Sequence, residues 1–209
     1  MARTIDFYYD VSSPWTYLAF TNIQPLAKEA GATIHWKPFL VGGVFNTINP
    51  TMYRMRENPV PARDAWIMKD MQDWARLAGL KIVFPPAVFP VNPVKALRGL
   101  LWAKTQESGA QGEGKEVALA TAFFELYWGE DRDISRDEVV AEAAGRAGLD
   151  PAALAGAIND PAVKAQLKAN TDELIARGGF GSPTIFVGDD MFFGNDRLPL
   201  VREALRRQA

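Results

Sequence analysis

The stretch "DFYYDVSSPWTYLA", residues 6–19, decides how the chain begins to fold. Thr4-Ile5-Asp6-Phe7-Tyr8-Tyr9 is β-branched and aromatic, and reads as a strand. Pro14 then opens a helix, because its missing N–H would have no partner in a first turn. Tyr17, Leu18, Phe20, Ile23 and Leu26 follow at helical spacing. Between the two elements, Ser13-Pro14-Trp15-Thr16 has the outline of a Cys-Pro-x-Cys redox motif. The chain, however, contains no cysteine. Hydroxyls stand where thiol chemistry would stand.

Downstream, Pro25 is predicted to kink the helix, and Gly31 ends it. Thr33 to Phe39 reads as a second strand, so strand, helix and strand form a parallel crossover unit. Gly42-Gly43 marks a break. Helices are then predicted near 60–78, 93–107, 113–128, 136–147, 151–158 and 161–177. Ser135-Arg136-Asp137-Glu138 has the form of a capping box. Asp150-Pro151 and Asp160-Pro161 each set a capping carboxylate before a first-turn proline. The glycine-rich run Gly109 to Lys115 follows no predicted strand and reads as a loop between helices. Thr184 to Val187 and Met191 to Phe193, joined by Gly188-Asp189-Asp190, read as a hairpin, the aspartates serving the turn. Asn195-Asp196 cap a final amphipathic helix.

β-α-β at the start and β-β-α at the end is the thioredoxin arrangement, an α/β fold with a large helical insertion. Residues 1–48 plus 178–209 are expected to form the thioredoxin-like domain, and 49–177 the insertion.

Composition narrows the function. Of 209 residues, 48% are hydrophobic, ample for a packed core. A net charge of −2 argues against a nucleic-acid surface. The absence of cysteine removes disulfides, thiolate metal sites and intrinsic redox chemistry. The single histidine, His35, excludes a multi-histidine metal cluster. The apolar run Val117 to Trp128 is interrupted by Glu125 and is too short to span a membrane. A soluble cytoplasmic protein without a leader segment is the expectation.

A thioredoxin fold delivers the residues after its first strand to a helix N-terminus, where unpaired N–H groups and the macrodipole favour an anion. A serine hydroxyl is too weak an acid to become that anion, since the dipole contributes only about 0.3–1 kcal/mol. It can instead donate to another molecule's anion, a bond worth about 1.5–3 kcal/mol. Such help would draw a borrowed thiol from a pKa near ~8.5 toward neutrality. Glutathione is the obvious lender. The other reading of Ser13-Pro14 is a plain helix cap. A second signal is Gly181-Ser182-Pro183-Thr184. A cis Ser182–Pro183 bond there would expose the Ser182 backbone to a peptide laid alongside. The alternative is an ordinary strand-leading proline.

The chain resembles the 2-hydroxychromene-2-carboxylate isomerases and, more distantly, the kappa-class glutathione transferases, within the DsbA-like thioredoxin superfamily. The resemblance is carried by "DFYYDVSSPWTYLA" (6–19), "WKPFLVGGVF" (36–45), "MKDMQDWARLAGL" (68–80), "FPVNPVKALRGLLWA" (89–103) and "GSPTIFVGDDMFFGNDRL" (181–198). It implies glutathione as cofactor, with Ser13 holding the thiolate and Ser182-Pro183 pairing with the peptide backbone. It further implies Asn195-Asp196 at the γ-glutamyl end and Arg63 where the family usually has lysine. Asn49 matches the family asparagine, with Asn58 as the alternative register, and Asn92 faces the substrate side. The implied reaction is cis–trans isomerisation of an unsaturated aromatic keto acid in aromatic-compound breakdown. The thiolate adds to the conjugated double bond, the resulting single bond rotates, and elimination returns the thiolate. A homodimer is implied as well. Trp66 and Phe89 are candidates for an apolar wall, or equally for core packing. A kappa-like transferase and a non-catalytic binding protein are the rival readings. They differ by whether glutathione is consumed, or not bound at all.

Overall fold

The computed structural model describes residues 3–106 and 114–208. Its sheet has four strands in the order β2-β1-β3-β4. β1 (Arg3–Tyr9) runs parallel to β2 (Ala32–Pro38), with Ile5 opposite Ile34 and Phe7 opposite Trp36. β3 (Thr184–Val187) pairs antiparallel with β1, Phe7 opposite Ile185, and β4 (Asp190–Phe193) closes the hairpin.

Phe7, Tyr8 and Tyr9 are all fully buried, which explains an apolar run without alternation: β1 is covered on both faces. Phe7 and Tyr9 face the main core with Phe20, Ile23 and Leu26 of α1 (Pro14–Ala30) and Val201 of the last helix. Tyr8 faces the other way, among Phe39, Val44, Leu174 and Phe186. The first helix continues through Pro25 to Gly31, whose φ of 62° lets it close the end.

Among the described residues eight α-helices follow before β3: α2 (Val41–Thr47), α3 (Thr51–Glu57), α4 (Pro61–Leu77), α5 (Val94–Lys104), α6 (Lys115–Phe124), α7 (Asp137–Arg146), α8 (Pro151–Ala157) and α9 (Pro161–Ala176). α10 (Leu198–Arg207) ends the fold. Among the described residues no helix is long and apolar enough to cross a membrane. The loop predicted over 109–115 lies, through residue 113, outside the described residues.

Gly42-Gly43 does not break the chain; both residues lie inside α2. A Cβ on Gly43 would sit 3.3 Å from the Thr171 methyl of α9, so the glycine permits close helix approach rather than a turn. The capping box at Ser135 is not made either. α7 begins at Asp137, and the Ser135 hydroxyl donates instead to Asp133 Oδ1 at 2.6 Å. The aspartate two residues back offers a nearer, charged acceptor. Asp150 and Asp160 do cap, accepting from Ala152 N at 2.9 Å and Ala162 N at 2.7 Å.

After α6 the chain makes a π-helical turn, Glu125–Gly129, closed by Glu130 N to Glu125 O at 2.9 Å. It carries two buried aromatics with long-range bonds. Trp128 Nε1 donates to Val11 O at 2.9 Å, and Tyr127 OH to Val88 O at 2.9 Å.

Arg177, just past α9, ties that helix to the sheet. Its guanidinium lies 3.7 Å over the Phe186 ring and donates to Asp6 Oδ2 at 2.6 Å and Gly188 O at 3.0 Å. Arg177→Ala is expected to lower the unfolding free energy by about 2 kcal/mol, combining a partly buried ion pair with a cation–π contact. Urea denaturation measures this; a wild-type midpoint would mean the contacts are idle.

Candidate active site

The turn between β1 and α1 is built on one buried carboxylate. Asp10 Oδ1 accepts from Ser12 N at 2.9 Å and from the Ser12 hydroxyl at 2.7 Å, while Oδ2 accepts from Val41 N at 2.9 Å. The turn is thereby fastened to the start of α2. Burial pushes the Asp10 pKa up to about 6, against the pull of these hydrogen bonds.

Ser13 is the N-cap of α1, in extended conformation with φ −109° and ψ 122°. Its Oγ accepts from Thr16 N at 3.2 Å, and its carbonyl accepts from Tyr17 N at 3.2 Å. With an acceptor pair so used, the hydroxyl proton points to the Ser182 carbonyl over a long 3.3 Å. The Ser182–Pro183 bond is cis, in agreement with the sequence reading. Ser182 Oγ accepts from Asp10 N at 2.9 Å and shares a 2.8 Å bond with Thr16 Oγ1. Among the described residues nothing accepts from the Ser182 backbone N–H. A hydroxyl with a loosely engaged proton therefore faces a peptide edge with a free donor, at the positive end of a 17-residue helix.

Above this pair opens a cavity of about 580 Å³. Ser13, Asn49 and Ser182 line it together, and Pro183 is buried and does not line it. Asn49 Nδ2 donates to Phe180 O at 3.1 Å, whereas Asn58 donates to Arg54 O and finishes α3. Phe89 lines the cavity. Trp66 is 60% exposed and does not; Ile67 and Met71 of the same helix do.

Four other residues singled out from the sequence lie off this cavity. Arg63 directs Nε and Nη2 to Asp64 Oδ1, at 3.1 and 2.9 Å. Asn92 is exposed and accepts from Val94 N at 3.1 Å, at the entry to α5, while Val91 and Pro93 line the wall. Asn195 makes no helix cap. It sits in a 3₁₀ turn, Asn195–Arg197, and its Oδ1 accepts from Asn22 Nδ2 at 3.0 Å, beside a separate groove between α1 and α10. Asp196 pairs with the adjacent Arg197. His35, given no role, bonds Asp6 at the exposed edge of the sheet, 3.0 Å away.

Asp10 escaped the sequence reading although it lies in the decisive stretch. Its signature is local: an Asp followed two residues later by a residue whose N–H it can capture. Its reach to Val41 is not.

A β-α-β and β-β-α frame, a capped helix N-terminus and a cis-proline loop facing it define a thioredoxin-fold protein whose reactive turn carries hydroxyls. The family model described as the DSBA-like thioredoxin domain matches residues 4–206. The chain belongs to that family and, within it, to the enzyme family of the 2-hydroxychromene-2-carboxylate isomerases. The 2-hydroxychromene-2-carboxylate isomerase of Pseudomonas putida is 30% identical, over 97% of this chain and 94% of the relative. A solved structure of a selenomethionine 2-hydroxychromene-2-carboxylate isomerase superposes with a TM-score of 0.81 at 29% identity, covering 98% of this chain and 95% of the other. Glutathione S-transferase kappa 1 of Caenorhabditis elegans is 27% identical over 97% of this chain and 91% of its own.

Proposed function

We propose that this chain is a glutathione-dependent cis–trans isomerase of conjugated aromatic carbonyl compounds. The observation that carries the reading is the Ser13 hydroxyl at the N-terminus of α1, opposite the Ser182 peptide edge and open to the cavity. Kinship with both isomerases and kappa-class glutathione transferases supports it.

The donors suit a thiol-bearing peptide. Ser13 Oγ–H and the first-turn N–H groups of α1 favour an anion, and Ser182 N–H and C=O match a backbone laid alongside as an added strand. When bound, glutathione supplies a thiolate whose reversible addition to the double bond frees that bond to rotate. Ser13 stabilises the charge by donating its hydroxyl proton, given up from Ser182 O. Thr16, hydrogen-bonded to Ser182 Oγ, fixes the loop opposite. Asn49, already bonded to Phe180 O, holds the far rim. Arg63, Asn195 and Asp196 serve the cofactor's carboxylate and amine ends only by exchanging their partners Asp64, Asn22 and Arg197.

Calorimetry should register glutathione uptake at millimolar concentration. Incubation with a model benzylidenepyruvate should then give isomerisation with the glutathione level unchanged. Stoichiometric loss of glutathione would support a transferase, and no uptake would leave a binding protein of another kind.

A further inference from the structure

Asp10 is a buried titratable group one side chain away from the cavity, and that side chain is a hydroxyl. Ser12 lines the cavity beside Ser13. Its Oγ donates to Asp10 Oδ1 at 2.7 Å, and among the described residues nothing donates to it. Its lone pairs are therefore unclaimed, on a residue that faces the guest. Asp10 behind it is fully buried, so Ser12 Oγ is the hydroxyl that links its carboxyl to the cavity.

The two adjacent serines differ in what they can do. Ser13 Oγ accepts from Thr16 N and donates to a peptide carbonyl, which does not take up its proton. Ser12 Oγ donates to a carboxyl, which can take a proton up and give it back. Burial pushes that carboxyl up to about 6, near enough to neutrality for acid–base exchange. The other groups packed on Asp10 leave this exchange to Ser12. The start of α2 brings Val41 N, and the cis-proline loop brings Ser182 Oγ. The π-helical turn brings Tyr127, whose phenol is pushed above its usual range by burial, with Asp133, Asp131 and Asp10 adding to the push.

A conjugated carbonyl calls for such a proton. As a carbon–sulfur bond forms, the electron pair of the double bond moves onto the carbonyl oxygen, and a general acid relieves that charge. We propose that Ser12 and Asp10 form a proton relay for this reaction. Ser12 hands its hydroxyl proton to the carbonyl oxygen as the double bond opens, and Asp10 refills Ser12 from behind. Before the transfer, protonated Asp10 donates to Ser12 Oγ, the reverse of the bond made by its ionised form. After it, Asp10 is a carboxylate. When the carbon–sulfur bond breaks, the electron pair returns to the double bond and both protons retrace their path, so none is consumed. Ser12 touches the substrate; Asp10 acts through it. The relay rests on the glutathione reading.

The test uses Ser12→Ala and Ser12→Thr with glutathione and a model benzylidenepyruvate. Wild-type kcat at saturating glutathione is expected to fall on the alkaline side of its optimum, because the protonated share of Asp10 shrinks as pH rises through about 6. Ser12→Ala should lose that alkaline limb and about a hundredfold in kcat at the wild-type optimum, while glutathione affinity by calorimetry stays unchanged. Ser12→Thr should recover both. A second readout needs no turnover. The carbon-13 signal of the Asp10 carboxyl, identified by its loss in Asp10→Asn, should titrate about one pH unit higher in Ser12→Ala, which lacks a hydrogen bond that favours the charged form. An alkaline limb that survives in Ser12→Ala, whether or not kcat falls, or an Asp10 titration indifferent to Ser12, overturns the relay and leaves the glutathione reading standing. A wild type that neither takes up nor uses glutathione overturns both.

Discussion

Ser13→Ala is expected to lower kcat/KM for the glutathione-dependent reaction about ten- to a hundredfold, the value of one hydrogen bond to a charged group. Folding should suffer far less. The substitution removes one N-cap contact, Thr16 N to Ser13 Oγ. That is worth about 1 kcal/mol, or about 2–4 °C in Tm for a chain of this size. The disparity is the point, because a serine that served only as a cap would change both in proportion. Ser13→Thr, which keeps the hydroxyl, should restore part of the rate. Unchanged turnover with normal glutathione affinity would remove Ser13 from the chemistry.

The second large effect lies one turn earlier. Asp10 carries a carboxyl pKa raised from 3.8 to about 6 because it is buried. Between those values the folded state binds more protons at this residue than the unfolded state does. Stability contributed by Asp10 is therefore greatest below about pH 4, falls as pH rises to about 6, and is flat above. The full drop is about 3 kcal/mol. Asp10→Asn has no such titration. Subtracting the unfolding free energy of the variant from that of the wild type cancels the other ionisable groups, so the difference should fall by this amount across the interval. A flat or rising difference would show that Asp10 is not held in a desolvated state. At pH 7 the same variant keeps one acceptor oxygen and sets an amide NH2 against the other of the two donors, Ser12 N or Val41 N. It should weaken the tie between the reactive turn and the start of α2.

Much of this architecture was legible in short windows. β1, the proline-led start of α1, the cis bond at Ser182–Pro183 and the caps at Asp150 and Asp160 all follow from interactions within a few residues. The failures share a different cause. Gly42-Gly43 looks like a break until Thr171, distant in sequence, comes to lie against it. Ser135 looks like a cap until Asp133 captures its hydroxyl. Of the residues singled out for the site, the structure gathers Ser13, Asn49 and Ser182 around one cavity. Arg63, Asn92 and Asn195 are bound to Asp64, Val94 and Asn22, choices made by tertiary neighbours that no local pattern records. Aromatic rings that line the cavity, Phe45, Tyr53, Phe84, Phe89, Phe180 and Phe193 among them, are scattered along the chain and carry no common motif.

The π-helical turn at Glu125–Gly129 has a consequence for how this enzyme tolerates change in length. One surplus residue in the spiral sets the directions of Tyr127 and Trp128, which grip Val88 in the loop after α4 and Val11 in the reactive turn itself. Removing a single residue there would restore an ordinary spiral but swing both rings by about 100°. Two distant grips would slip at one stroke. A shortening by one at this point should thus be far more harmful than most exchanges of side chain, and it would be felt at the reactive turn rather than where the cut was made.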